Sequence, residues 1–218
     1  KKVKITSPGK MTGNLGKLLI LSIGFQLLFC VFMTAQNLAS QVLEDLGFGD
    51  MGFYSLAVLY FVFSFSCFIA TPIVNKCGER FSMTVGSMCY TFYTGSFILA
   101  SARSQYPLEA EDSWVLSKDF IGSMILLTAA LCGFGASILW VAQGKYISRI
   151  ANDGNKGTYN SIFWAIFITS QVIGTLFAAL VLMNTNPFTF YCTMTATCFF
   201  ASLFFLFLRP VSSEKEPQ

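Results

Sequence analysis

The sequence predicts an all-α membrane protein with six transmembrane helices and both termini on the cytosolic side. Three observations lead there. First, stretches free of Asp, Glu, Lys and Arg recur at 18–43, 51–75, 81–102, 120–144, 160–183 and 188–208, with lengths of 26, 25, 22, 25, 24 and 21 residues. About 20 apolar residues suffice for a helix to cross the hydrocarbon core, and every stretch is too long for a barrel strand. Lipid offers the backbone no partner, so a lone crossing segment must pair its own N–H and C=O groups by coiling. Second, 54% of the 218 residues are hydrophobic and only 11% charged, far from the usual soluble mix. Third, the basic residues alternate in density from one connecting segment to the next.

That alternation orients the chain. With the amino terminus in the cytosol, the inner segments hold twelve basic residues: Lys1, Lys2, Lys4, Lys10, Lys17, Lys76, Arg80, Lys145, Arg149, Lys156, Arg209 and Lys215. The outer segments hold only Arg103 and Lys118, a positive-inside split. The net charge of +3 is thereby accounted for by orientation and does not point to nucleic acid. Three segments follow: a basic cytosolic amino-terminal stretch at 1–17, a transmembrane domain at 18–208, and a cytosolic tail or start of a linker at 209–218.

The first stretch follows five lysines, as a secretory signal would, but its 26 residues exceed the roughly 7–15 of a cleavable apolar core. It is expected to stay as a helix. Gln26 and Asn37 are eleven positions apart, which at about 100° per residue places them within roughly 20° of each other, with Cys30 and Met33 between them. Such a face can line a path or hydrogen-bond to neighbouring helices. The second and third stretches carry no ionisable residue, and neither do the others. A mid-membrane proton relay or ion site needs one, so none is expected in this domain.

In the fourth stretch Ala129, Gly133 and Ser137 recur every four residues, which lets two backbones approach closely. Trp140, Gln143 and Gly144 follow. Trp140 suits either an interfacial belt or packing on one hand, or a cavity wall on the other. The fifth stretch places Gln171 close to Gly174, another amide beside a close-approach position. The fifth and sixth lie in one uncharged run of 52 residues, 157–208, with Asn184-Thr185-Asn186-Pro187 as the hairpin tip. Phe199, Phe200, Phe204 and Phe205 in the sixth would face lipid or a membrane partner.

Several chemistries are excluded. No histidine is present, which removes the commonest general base and any Ser/His/Asp or Cys/His set. Six of the seven cysteines lie inside spans and Cys77 in a cytosolic loop, with no metal-ligand spacing, so neither a disulfide framework nor a metal site is expected. Gly154-Asn155-Lys156-Gly157-Thr158 lacks the spacing of a phosphate loop, and Gly133-Phe134-Gly135 is too short for a dinucleotide fingerprint. The chain is expected to be neither an enzyme nor dependent on a cofactor.

The order of local patterns resembles the amino-terminal half of the uncoordinated-93-like branch of the major facilitator superfamily. The residues that carry the likeness are Gln36-Asn37-Leu38-Ala39-Ser40, Leu59-Tyr60 and Gly86-Ser87-Met88-Cys89-Tyr90. More specific are the run from Gly135-Ala136-Ser137 through Trp140-Val141-Ala142-Gln143-Gly144-Lys145-Tyr146, and Ser161-Ile162-Phe163-Trp164 with Ser170-Gln171-Val172-Ile173-Gly174. In that superfamily's signature between second and third spans the corresponding positions here read Thr71, Asn75, Lys76, Gly78, Glu79 and Arg80, so the acidic anchor is an amide, Asn75, and the signature is degenerate. After Gly174, where the family often has Asn, stands Thr175.

The resemblance implies half of a major-facilitator-type bundle, with a second six-helix half, or a partner membrane protein, completing a central cleft. The chain is thus expected to be a fragment of a twelve-helix protein. It also implies two functions. One is a carrier of a small neutral or lipid-like solute, with Gln26, Asn37, Trp140, Gln143 and Gln171 as the candidate lining. The other is a non-transporting regulatory subunit of a potassium channel, or an escort of a membrane receptor. The expected location is the plasma membrane or an endomembrane.

Overall fold

The computed structural model describes residues 8–152 and 154–208; the basic residues Lys1, Lys2 and Lys4 and the segment 209–218, with Arg209 and Lys215, lie outside it, as do the side chains of 8–13, 109, 110 and 112. Seven α-helices run in the order α1 (Pro8–Asp45), α2 (Met51–Cys77), α3 (Glu79–Gln105), the short α4 (Pro107–Asp112), α5 (Lys118–Ile150), α6 (Lys156–Asn184) and α7 (Pro187–Phe204). Single 3-10 turns at Trp114–Leu116 and Phe205–Phe207 complete the elements among the described residues. Among the described residues there is no strand.

The helices α1, α2, α5, α6 and α7 are each long and apolar enough to cross a membrane. At 27 residues α3 is as long as α2, yet it falls short on apolarity because Ser and Thr occupy much of it. Three of these hydroxyls are buried and turned onto the helix's own carbonyls: Thr94 donates to Tyr90 at 3.0 Å, Ser96 to Tyr93 at 2.7 Å and Ser101 to Phe97 at 3.0 Å. Such back-bonding satisfies the polar group without a partner helix.

Helix ends follow local chemistry. Asn186 caps α7 by accepting from the Thr189 N–H at 2.8 Å, with Pro187 next, where its missing N–H costs nothing. The tetrad at 184–187 is therefore the expected tip. Between α2 and α3 a single residue, Gly78, turns the chain at φ 82°, a left-handed value that favours glycine. Two boundaries differ from expectation. At 38 residues, or about 57 Å, α1 begins at Pro8 instead of at 18. α5 continues through Ile150, which puts Lys145, Tyr146 and Arg149 on a helix and not in a loop.

Packing has a swapped two-fold pattern. α2 and α3 pack on α5 as α6 and α7 pack on α1, and α3 and α7 pack on each other. The first three long helices thus repeat the arrangement of the last three. The closest approaches obey the same pattern: a Cβ on Gly133 of α5 would lie 2.3 Å from the Leu59 carbonyl of α2, and one on Gly174 of α6 would lie 2.1 Å from the Cys30 carbonyl of α1. Ala129 and Ser137 are fully buried on the same side of α5 as Gly133. Gly86 of α3 and Gly135 of α5 make a third such crossing, each aimed at the other's carbonyl at 2.7 and 2.8 Å.

Candidate functional site

On α1, Phe25, Phe29, Phe32 and Gln36 follow one another at steps of four, three and four, so they share one helix face. That face meets α5 and α6 through rings. Phe25 packs edge-on against Trp140 at 5.4 Å, Phe163 at 5.2 Å and Phe205 at 5.4 Å. Trp140 is the hub, because it also meets Phe29 at 5.3 Å and Phe167 at 5.4 Å and stacks on Trp164 at 5.9 Å with 14° between planes. Edge-to-face geometry of this kind adds to burial and fixes ring orientation. Trp164 remains 50% exposed, so the layer reaches the surface of the helix bundle.

Beside the layer lies a cavity of ≈ 140 Å³ walled by Phe32, Gln36, Tyr60, Phe63, Tyr90 and Trp140 among others. Its one amide is Gln36. The Gln36 Nε2 donates weakly to the Tyr60 hydroxyl at 3.4 Å, while its Oε1 is buried without a partner. No charged side chain reaches this cavity.

A second cluster sits where α2, α3 and α5 end together. Arg149 Nη1 donates to Glu79 Oε1 at 2.8 Å, and Lys145 Nζ lies 3.3 Å from the same oxygen. Lys145 also donates to Asn75 Oδ1 at 2.8 Å. Burial of Glu79 alone would raise its pKa, but the hydrogen bonds from Arg149, its own backbone N–H and Lys145 outweigh this and hold the carboxyl below the ordinary value. Lys76 and Arg80 are exposed, and Gly78 forms the joint. The amide at Asn75 therefore does not leave the site without an acid, since Glu79 supplies one four residues on. A hollow of ≈ 490 Å³ next to it is walled by Cys77, Gly78, Glu79, Arg80, Tyr146 and Arg149.

The other residues singled out in the sequence do not converge. Gln26 is bonded across to α6, donating to Thr169 Oγ1 at 2.6 Å. Asn37 is exposed and lines a separate groove of ≈ 290 Å³ with Thr34, Thr175 and Ala178, between α1 and α6. Gln143 is buried on α5 and Gln171 is exposed on α6. Of the five, Trp140 borders the Gln36 cavity. Gln36, Tyr60 and Tyr90 are not among the sequence-predicted site residues, and Glu79 stands in the degenerate signature with no partner assigned to it. For Gln36 the readable signal was the spacing from Phe25; for Tyr60, Tyr90 and Glu79 no pattern along the chain marks the convergence.

Among the described residues no group of three or more Cys, Asp or Glu is placed to hold a metal ion. All seven cysteines are free.

Comparison with known proteins adds the family. Residues 49–110 and 120–215 match the family described as ion channel regulatory protein UNC-93. The chain is 30% identical over 206 residues to UNC93-like protein MFSD11 of Xenopus tropicalis, covering 90% of this chain and 42% of that protein. It is 32% identical over 168 residues to UNC93-like protein 3 of Arabidopsis thaliana, 72% of this chain and 31% of the relative. It is 30% identical over 183 residues to protein unc-93 homolog A of Bos taurus, at 78% and 35% coverage. The chain spans less than half the length of these curated relatives. No solved structure matches it.

Proposed function

The chain belongs to the UNC-93 family, a branch related to the major facilitator superfamily, and is an integral multi-pass membrane protein; from that premise we propose that it is the first half of a facilitator-type carrier for a small neutral or lipid-like solute. In this reading all six long helices cross the bilayer with both termini in the cytosol, and a second six-helix half faces α1, α2, α5 and α6 across a central cleft. The carrying observation is the uncharged aromatic layer around Trp140, open at Trp164 and flanked by a cavity whose polar wall is Gln36, Tyr60 and Tyr90. Rings and amides without charge suit an uncharged ligand, since an ion there would lose its hydration with nothing to replace it. The swapped packing of the two helix triplets supports the same reading, because nested inverted repeats allow two halves to rock about a midplane site.

A second reading is favoured by the family description, which names ion channel regulation. Here the same bundle binds within the membrane to a potassium channel or a receptor, and the exposed rings of Phe199 and Phe200 on α7 are contact surface. In either reading the protein is a carrier or regulator and not an enzyme, located in the plasma membrane or an endomembrane.

Purification of the full-length protein in mild detergent, followed by mass spectrometry of what accompanies it, separates the two. A stoichiometric small neutral or lipid-like molecule, lost in the cavity-filling Ala136→Ile variant, is expected of the carrier. A stoichiometric membrane protein with no small molecule would replace that reading by the second.

A further inference from the structure

The geometry points to a specific recognition element in the Gln36 cavity: it takes a single planar ring that carries a hydroxyl, with the hydroxyl donating to Gln36 Oε1. The inference deepens the carrier reading and rests on it, because the cavity must be reached from the cleft.

Three observations support it. The cavity measures ≈ 140 Å³, close to the volume of an engineered apolar cavity of about 150 Å³ known to accommodate benzene. Its walls are mostly rings: Phe32 and Tyr90 meet edge-on at 4.5 Å, and Phe29 meets both Tyr90 at 5.4 Å and Trp140 at 5.3 Å. A flat ring has edges and faces to meet there, whereas a branched aliphatic group of equal volume does not. Finally, Gln36 is only 7% exposed, yet Oε1 has no partner although its other end reaches Tyr60. A buried acceptor left unpaired is costly, and a donor entering the cavity removes that cost.

Charge decides against other ligands. The cavity wall holds no Asp, Glu, Lys or Arg, so a carboxylate, ammonium or phosphate would be desolvated without compensation. A plain hydrocarbon ring would fit but would leave Oε1 unpaired. An ether would present only an acceptor to an acceptor. The hydroxylated ring is what satisfies both volume and polarity. Access is beside Tyr60, which is 52% exposed on α2.

The test uses the full-length protein in mild detergent and three fluorinated probes followed by fluorine NMR: 4-fluorophenol, 4-fluoroanisole and 4-fluorotoluene. We expect 4-fluorophenol to show a saturable shifted resonance and to bind about tenfold or more tightly than the other two. Gln36→Leu, which removes a buried unpaired group and so should fold, is expected to erase that preference while retaining ring binding. Ala136→Ile, which fills the cavity from the α5 side, should abolish binding of all three. Equal binding of the three probes, or an unchanged preference in Gln36→Leu, would overturn the inference, as would the absence of any saturable resonance, which would mean that the cavity holds water alone. Labelling by a water-soluble maleimide at Tyr60→Cys, in a protein whose exposed Cys67 and Cys77 are replaced by Ser, separates the premise from the inference. A labelled protein without hydroxyl preference refutes the cavity assignment alone; an unlabelled protein without probe binding refutes the cleft as well.

Discussion

Arg149 in the last turn of α5 donates to the carboxylate of Glu79 in the first turn of α3 at 2.8 Å, so two helix ends that are 70 residues apart are clamped by one pair. Glu79 is 8% exposed and also faces Lys145, whereas the two cations are each about one-third exposed. Replacing the acid by its amide takes the anion away from both cations. Glu79→Gln is expected to cost about 1–3 kcal/mol, below the figure for a fully buried pair because solvent screens the cations. A fall in thermal midpoint for Glu79→Gln, larger than for the exposed-site change Arg80→Gln, is the outcome that checks it.

The same contact sets a pH dependence. The Glu79 carboxyl is held below its ordinary value of 4.5 in the folded protein, so the contribution is fully present above about pH 4.5 and is lost as pH falls through the lower folded value. The difference in thermal midpoint between wild type and Glu79→Gln should therefore be constant from pH 8 to pH 6 and shrink only below about pH 4.5. A difference that shrinks already near neutrality would place the clamp elsewhere.

Close approach at Gly174 and Gly133 gives a prediction of opposite character. A Cβ at Gly174 would meet the Cys30 carbonyl at 2.1 Å, and one at Gly133 the Leu59 carbonyl at 2.3 Å, both backbone atoms that cannot swing aside. Gly174→Val or Gly133→Val should force the helices apart at about 1–3 kcal/mol or more, read as lower yield of monodisperse protein and a lower thermal midpoint. Gly144 on the same helix as Gly133 has nothing within 4 Å of an added Cβ, so Gly144→Ala is expected to be neutral or to stabilise by up to about 1 kcal/mol. Equal loss at Gly144 and Gly133 would refute the packing account.

How far the chain can be read by eye depends on whether the cause is local. Uncharged runs foretold where long helices form, and the Asn186-Pro187 pair foretold the start of α7, because lipid length and cap chemistry act within one segment. The start of α1 at Pro8 was not legible: polar and charged residues can extend a helix beyond the hydrocarbon at no penalty, so charge marks where the lipid ends, not where the helix does. The pairing of Glu79 with Lys145 and Arg149 is illegible for a different reason. Glu79 stands in the signature segment beside Asn75, but it meets α5 only once Gly78 has turned the chain. Gln26 and Asn37 share a face by angle, yet partners decide what each amide does: Thr169 engages the first, and the second opens to an α6 groove. Gln36 escaped because convergence with Tyr60 and Tyr90 involves three helices, which no single-helix periodicity reports.

Burial of paired hydroxyls between helices should be nearly silent when one is removed. Ser55 of α2 donates to the Gly52 carbonyl at 2.7 Å and receives the Tyr93 hydroxyl of α3 at 2.9 Å, with both residues fully buried. Tyr93→Phe keeps the ring and leaves Ser55 satisfied, so the expected loss is about 0.6 kcal/mol and no more than about 1.7. Tyr93→Ala removes the ring from its contacts with Phe32 and Phe97 and should cost several times as much, about 3–5 kcal/mol. Comparable midpoints for the two variants would contradict this partition.

The number of crossings turns on α3, whose apolarity alone does not place it in the bilayer. Thr94, Ser96 and Ser101 are back-bonded within the helix, Thr91 pairs with Ser202 of α7, and α5 and α7 cover about half of its residues, so these hydroxyls need not face lipid. A helix so shielded can cross without the apolar content that an isolated span needs. Its two ends carry usable reporters: native Cys77 is exposed at the end of α2, one residue before the joint, and Ser104 is exposed near the end of α3. In intact cells expressing the full-length protein, Ser104→Cys should react with a membrane-impermeant maleimide, while Cys77 should react only after permeabilisation. Labelling of both from the same side would make α3 a helix that enters and leaves by one face, reduce the crossings to five, and carry the end of α7 to the opposite side from the start of α1.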